Sequence, residues 1–411
     1  MAVPGVSVRR VDDRAENQAE NQAANRVDDR CARIGATFGD ATGRSVHFVR
    51  APGRVNLIGE HTDYQDGFCL PMAIDRDVIV GWRPRTDTTI TVRSLELPDA
   101  ARFAIGADPT QVQPKWARPA AGMSHVLHEH APLRAGIDAV VGSTIPIGAG
   151  LSSSAAFEVA FGLALAAADE RELGGDDLAL AAQRAEQEST GVPCGVMDQM
   201  ASVHGRAGHA LLLDCRALTI TPVAIPDSLC VVVVHCGVRR VLAGTEYGDR
   251  RRAVEAAAAR LGVATLRDAV PESVSDDPFA RHVVSENRRT LMFVAALRRG
   301  RVDELGTLMR ESHASLRHDF AVSTPELDAL VDALLVEGAI GARLTGAGFG
   351  GCVVALAATD HADRLADRAA ERYRAETGHE PQAFIVRATD GARTIDQADP
   401  PAPPTPHLPE D

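Results

Sequence analysis

Lysine is almost missing from this chain of 411 residues: of 43 basic side chains only Lys115 is a lysine, and the rest are arginines. That excludes two common ways of handling a nucleoside triphosphate. A Walker A loop needs a Gly-Lys-Ser/Thr step, and a protein kinase needs a lysine on a strand. Lys115 follows Pro114 and stands in neither setting. Positive charge as a whole is short, with a formal net charge of −13. No basic excess is available to meet nucleic-acid phosphates or an anionic membrane surface. No uninterrupted apolar run is long enough to span a bilayer, and the N-terminus lacks a charged-then-apolar leader. These absences predict a soluble, cytoplasmic protein without nucleic-acid or membrane partners. The cysteines, at 31, 69, 194, 215, 230, 236 and 352, contain no Cys-x-x-Cys pair. Neither a disulfide framework nor a thiolate zinc site is indicated, and buried free thiols are expected.

Apolar residues make up 45% of the chain. That suffices for a sizeable core, and the length suggests about two to three domains. Residues 1–28 are rich in Asn, Gln, Asp and Ala and read as a disordered arm, and residues 391–411 read as a disordered, Pro-rich tail. Between them, domains are expected at 29–225 and 226–390. Strands are expected at 45–50, 138–142, 210–214 and 218–223, and at 78–83 and 88–94 as a hairpin-like pair. The continuous apolar run at 229–235 reads as a fully buried strand. Further strands are expected at 341–344, 352–356 and 382–387. Helices are expected at 157–168, at 176–189 with Asp176 as its cap, at 247–261, 281–299, 302–315 and 325–337, and at 361–377. Strands and helices are interleaved without a regular β-α-β-α rhythm. The fold class is therefore α+β with largely antiparallel sheets.

The chain is organised around residues 146–156, Pro-Ile-Gly-Ala-Gly-Leu-Ser-Ser-Ser-Ala-Ala, between a strand and an Ala-rich helix. Gly148 and Gly150 allow a ligand close to the backbone. The first helical turn offers unpaired N–H donors and partial positive charge, which suits a phosphate. Ser152, Ser153 and Ser154 can cap the helix, donate to phosphate oxygens or reach a metal. An ordinary serine-capped helix is the alternative.

Three other stretches carry chemistry. Residues 51–64 crowd Arg54, Asn56, Glu60, His61 and Asp63 together, a set able to bind adjacent sugar hydroxyls, to join a metal site, or merely to form a polar loop. Glu186 lies on the helix before residues 191–200, where Asp198 stands among Val196, Met197 and Met200 as either a helix cap or a buried functional acid. Residues 343–352, Arg-Leu-Thr-Gly-Ala-Gly-Phe-Gly-Gly-Cys, suit a tight turn whose N–H groups form a nest for an anion or a sugar hydroxyl, or a plain glycine-rich hairpin.

In combination and order these stretches resemble the galactokinase family of the GHMP small-molecule kinases. The run Pro-Gly-Arg-Val-Asn-Leu-Ile-Gly-Glu-His-Thr-Asp-Tyr at 52–64 is similar to the family signature, and the resemblance covers about residues 30–390. It implies a two-domain GHMP kinase fold with mixed and antiparallel sheets, helices, and an active site in the cleft between domains. It also implies transfer of the ATP γ-phosphoryl group to the anomeric hydroxyl of galactose, and a monomer. A related sugar, N-acetylgalactosamine or arabinose, or a non-catalytic sensor of galactose and ATP, are the alternatives. By similarity, Asp198 and Arg54 are catalytic, and Glu60, His61, Asp63 and Tyr247 bind the sugar. Gly148, Gly150, Leu151, Ser152, Ser153, Ser154, Ala155 and Trp116 bind ATP, and Ser154 and Glu186 hold Mg²⁺. Four positions depart from the family pattern: Ala347 replaces a glycine, Pro119 replaces an aromatic residue, and His235-Cys236 replaces small polar residues.

Overall fold

The structure, a computed structural model, describes residues 27–39, 45–146, 148–238 and 243–395, with no side chains described at 243–245. The expected N-terminal arm lies outside the described residues except for its last two positions, as does the tail from residue 396 onward. In chain order the elements are α1 (Val27–Phe38), β1 (His47–Asn56), β2 (Phe68–Cys69), β3 (Pro71–Pro84), β4 (Thr89–Ser94), β5 (Ala101–Ala104), α2 (Arg118–His130) and β6 (Ile137–Ser143). Then come α3 (Ser153–Ala168), α4 (Gly175–Thr190), α5 (Met197–His204), β7 (His209–Asp214), β8 (Thr219–Ala224), β9 (Leu229–His235) and α6 (Ala243–Leu261). The chain continues through α7 (Pro278–Arg298), α8 (Val302–His318), α9 (Pro325–Val336), β10 (Gly341–Thr345), β11 (Cys352–Ala358), α10 (Ala362–Thr377), β12 (Gln382–Val386) and β13 (Arg393–Ile395).

The strands form three sheets, ordered β13-β1-β3-β6-β4-β5, β10-β11-β9-β12 and β2-β7-β8. Every pairing is antiparallel except β4 with β6. Strand β9 explains its own composition. Val231 and Val233 join one hydrophobic core while Val232 and Val234 join the other, so both faces of the strand are buried. Strand β11 does the same, with Cys352, Val354 and Leu356 on one side and Val353, Ala355 and Ala357 on the other. Side chains alternate faces along a strand, so a strand between two cores must be apolar at every position. Helix α3 packs against β1 and β3. Its buried residues, from Ala155 to Ala166, run almost all round its circumference, as a core helix requires.

Helix α7 begins at a cap, where Asp277 accepts from the Phe279 and Ala280 N–H groups, with Pro278 in the first turn. Its buried face carries His282, Val283, Glu286, Thr290 and Phe293. Those spacings of three and four place two ionisable groups on the inward stripe of one helix.

Several expectations are corrected. β3 and β4 do not form a hairpin. β6 lies between them, antiparallel to β3 and parallel to β4. The linking segment is fixed across β6 by Arg85, which donates to Asp87 and Asp138 at 2.7 and 2.8 Å. β1 continues past residue 50 to Asn56, with an irregularity between Pro52 and Arg54, so Arg54 sits on a strand rather than a loop. α4 has Gly174 at its N-cap; Asp176 is in the first turn and pairs with His204 at 2.8 Å. α2 is an additional helix, and Arg393–Ile395, expected in the tail, pairs with β1.

Candidate active site

Arg54 and Asp198 meet in a forked ion pair. Arg54 Nε donates to Asp198 Oδ1 and Nη2 to Oδ2, each at 2.7 Å, while Nη1 donates to the Gly150 carbonyl at 2.8 Å. Burial pulls the Arg54 pKa down, but the charges of Asp198, Glu60 and Asp63 outweigh it and hold the guanidinium above its ordinary value. The pair comes together because β1 runs beneath the glycine loop. A Cβ at Gly53 would stand 2.5 Å from the Leu151 carbonyl oxygen, so only glycine lets the two backbones approach. That approach is sealed by the Arg54 N–H donating to Leu151 O at 3.2 Å. Asp198 lies in the first turn of α5, and its carboxylate bonds to side chains rather than capping the helix.

Ser152 departs from the role of helix cap. Its backbone is left-handed, with φ of 59°, and no side-chain cap bond forms. Its hydroxyl donates instead to Asp198 Oδ2. A non-glycine residue held in this region costs roughly 1–3 kcal/mol, which neighbouring contacts must offset. Ser153 and Ser154 start α3 and line a cavity of about 440 Å³ together with Gly148, Gly150, Ser152, Glu186 and Asp198. Leu151 and Ala155 are not among its lining residues; their side chains are buried in the protein. Glu186 is hydrogen-bonded to Ser154 and accepts from Gln199 Nε2 at 2.6 Å. Burial first, and the Asp198 charge second, push its carboxyl up to about 7.

The same cavity is lined by Glu60, His61, Asp63, Tyr247, Gly346 and Ala347. Glu60 Oε1 accepts from the Gly346 N–H at 2.7 Å and the Thr345 hydroxyl at 3.2 Å. The anion in the nest of the second glycine loop is thus a carboxylate of the protein itself. His61 Nε2 donates to the Ala347 carbonyl at 3.3 Å, since a carbonyl can only accept, and its Nδ1 therefore accepts from the Tyr64 hydroxyl at 3.0 Å. Burial, then His282, lowers the His61 pKa to about 3, so the ring is neutral at physiological pH. Burial, then Asp198 and Glu60, raises Asp63 to about 7. A Cβ at Gly195 would lie 1.9 Å from Asp63 Oδ2, so a larger residue there would push the Asp63 carboxylate out of its present position. Burial holds the Tyr247 phenol well above its ordinary pKa, as a neutral donor.

A second cavity, about 520 Å³, adjoins the first and shares Ser153 and Ser154 with it. Trp116 and Phe157 line it, their ring centroids 6.5 Å apart, and Trp116 Nε1 donates to the Pro98 carbonyl at 3.1 Å. Pro119, in the first turn of α2, also lines it. The second aromatic wall comes from α3, not from position 119. Ala347 carries no backbone penalty either: Gly346, Gly348, Phe349, Gly350 and Gly351 take positive φ, and residue 347 does not.

The galactokinase galactose-binding signature matches residues 36–84, and the N-terminal and C-terminal GHMP kinase signatures match 119–206 and 293–375. A galactokinase of Roseiflexus sp. (strain RS-1) is 44% identical over 371 residues, 86% of this chain and 94% of its own. The chain belongs to the galactokinase family. A galactokinase of Chloroflexus aurantiacus is also 44% identical, over 84% of this chain and 93% of its own. The crystal structure of Lactococcus lactis galactokinase complexed with galactose superposes with a TM-score of 0.83 at 28% identity, covering 88% of this chain and 98% of that one. A Methanococcus jannaschii mevalonate kinase shares the fold at a TM-score of 0.63 and 19% identity, over 84% of this chain and 99% of its own.

Within this galactokinase fold, several residues near the site carry no sequence-level role. Gln199 follows Asp198 directly and could have been suspected as the polar neighbour of a functional acid. Glu286 and His282 could not, because nothing local links them to residues 59–61. Glu286 Oε1 accepts from the Gly59 N–H at 3.0 Å, and His282 Nε2 donates to the Glu60 carbonyl at 3.1 Å. Although burial opposes it, neighbouring charge, Arg289 foremost, holds the Glu286 carboxyl down at about 2.

Proposed function

We propose that the chain transfers the γ-phosphoryl group of ATP to the anomeric hydroxyl of galactose, giving galactose 1-phosphate and ADP. The carrying observation is that one cavity holds the forked Arg54–Asp198 pair, the serine-rich loop and the turn with Glu60, His61 and Asp63. The sugar oxygen bonds to the γ-phosphorus, the bridge to the β-phosphate breaks, and the hydroxyl proton passes to Asp198. Oδ2 already accepts from Arg54 and Ser152, while Oδ1 accepts only from Arg54. Oδ1 is therefore the oxygen with room for the sugar hydroxyl. Held by the Arg54 fork through both oxygens, Asp198 acts chiefly by holding the hydroxyl in line. The proton leaves late, as the attacking oxygen becomes acidic in a loose transition state. Arg54 offsets charge on the phosphoryl group. Neutral His61, the Tyr247 phenol, Glu60 and Asp63 supply donors and acceptors for the other hydroxyls.

Trp116 and Phe157 make an apolar slot for the base of ATP, and the shared Ser153–Ser154 edge leads its phosphates toward Asp198. Ser154 and Glu186 would hold Mg²⁺, which needs few protein ligands when phosphates and water complete its shell. The fit is electrostatic: burial beside Asp198 lifts Glu186, an excess of negative charge that a cation relieves. Held there, the ion would supply positive charge to offset that of the phosphate oxygens. Two domains, 29–225 and 226–390, a monomer, and a cytoplasmic setting that suits seven free thiols complete the proposal. The test is ADP release with Mg·ATP and galactose, N-acetylgalactosamine or arabinose, with the phosphorylated carbon assigned by NMR. Turnover on galactose at C1 is expected. Turnover confined to another sugar rejects the substrate and keeps the class, while ligand binding with no turnover on any sugar favours a sensor.

A further inference from the structure

Arg343 is one of the largest fully buried side chains in the protein, yet it carries a charge. It stands on β10, directly before the second glycine loop. Its Nη1 donates to the Asn56 carbonyl at 3.0 Å, and its Nη2 lies 3.5 Å from Glu60 Oε1. Among the described residues, Nε and Nη2 meet no hydrogen-bond acceptor. Taking a guanidinium out of water costs several kcal/mol, and an apolar residue of similar volume often serves stability as well or better. Packing alone therefore does not account for a charged side chain here. What its charge meets is Glu60, whose Oε1 already accepts from Thr345 Oγ1 and the Gly346 N–H. One oxygen of Glu60 thus accepts two hydrogen bonds and faces one cation, all from the same hairpin. The other is left for the cavity that Glu60 lines.

We propose that Arg343 is a positioning residue for the acceptor sugar, acting through Glu60: with Thr345 and Gly346 it fixes one carboxylate oxygen so that the other is presented to a sugar hydroxyl. This rests on the reading of Glu60 as a sugar ligand. Two hydrogen bonds and a cation from one hairpin favour a single rotamer of the carboxylate, so the sugar meets an acceptor already oriented. Without this cation, Glu60 loses the positive charge that faces its fixed oxygen, and the sugar must bind to a carboxylate that has drifted.

The test is a double-mutant cycle on the full chain with Arg343→Met, Glu60→Gln and the two together. Galactose affinity is read by calorimetry and the ATP KM by ADP release. Arg343→Met should weaken galactose binding by on the order of tenfold or more, with the ATP KM within about twofold of wild type. The double variant should bind galactose no more weakly than Glu60→Gln alone, because the effect of Arg343 passes through that carboxylate. Unchanged galactose affinity in Arg343→Met overturns the proposal. So do effects that multiply in the double variant, or a parallel loss of ATP affinity, which marks a merely structural role. Should Arg343→Met fail to fold, Thr345→Val decides. A roughly threefold or greater loss of galactose affinity supports the proposal, and wild-type affinity overturns it. Failure of the wild-type chain to bind galactose at all would strike the reading of the sugar site, not the clamp.

Discussion

The two ends of the cleft are held in different ways. At the phosphoryl end, Arg54, Gly150, Ser152 and Asp198 bond to one another, and all belong to the first half of the chain. At the sugar end, the turn after β1 has local bonds of its own but is also fastened at several points from the second half. Glu286 takes the Gly59 N–H, His282 the Glu60 carbonyl, Thr345 and Gly346 the Glu60 carboxylate, and Ala347 the His61 ring. Aromatic packing repeats the pattern, with Phe320 4.6 Å from both the His61 and the His282 rings. The chemistry thus rests on contacts within one half, whereas sugar recognition depends on the two halves being docked. Disturbing the first should change the rate of transfer, and disturbing the second should change sugar affinity.

The largest expected effect is at the phosphoryl end. Asp198→Asn should lower kcat by roughly 10³-fold in the ADP-release assay while ATP still binds, because an amide cannot both accept the Arg54 fork and take a proton. A variant with near wild-type kcat would end the assignment. Arg54→Lys comes next, with an expected loss of about 10²-fold in kcat and little change in galactose KM. An ammonium cannot reach both carboxylate oxygens and the Gly150 carbonyl together. A change mainly in galactose KM would erase the contrast between the two ends.

The third prediction concerns pH. Burial is the leading cause that depresses His61 to about 3 and His282 to about 4, so both are neutral in the folded protein. The unfolded chain protonates them near pH 6.5. The stability they contribute is therefore present above pH 6.5 and is lost as pH falls from there toward 4, each by up to about 1.4 kcal/mol per pH unit. Asp63 and Glu186, raised to about 7, act in the opposite sense as pH falls, so the histidine contribution is read as a difference: in thermal melts His282→Asn should lose less stability than the wild type between pH 6.5 and 4, while being less stable at neutral pH. Equal slopes for variant and wild type would remove His282 from the account. The smallest effect is at Ala347. Its φ is not positive, so Ala347→Gly relieves no strain. The variant should alter galactose KM by less than about twofold and cost roughly 0.5–1 kcal/mol in stability through chain entropy.

The same contrast governs what could be read from the sequence. Arg54, the serine loop and Asp198 lie in short motifs whose residue types announce charge and phosphate chemistry. The structure brings them together, along with Glu60, His61, Asp63 and Tyr247. Periodicity located most helices and the buried strand at 229–235. It could not place β6 between β3 and β4, because strand order is decided by pairing across some fifty residues rather than by local pattern. Nor could it tell that the nest at Gly346 is filled by Glu60, a partner 286 positions away. The helical spacing of Ala120, Ala121, Met123, Val126 and Leu127 did hold a signal for α2, whereas β13 is too short to have one.

Strand β9 has a consequence for how the protein can be divided. Its alternate valines serve two interiors at once, as do the alternate residues of β11, so the sheet is a party wall. Residue 226 separates two stretches of sequence, but the larger interior runs on past it to Val231, Val233, Cys352, Val354 and Leu356. A fragment ending there would keep Arg54 and Asp198 and lose part of the surface its own core is sealed against. Such a half would be a sticky, incompletely closed body and not a smaller kinase, and splitting this protein for complementation calls for a cut elsewhere, in an exposed loop such as residues 299–301 between α7 and α8.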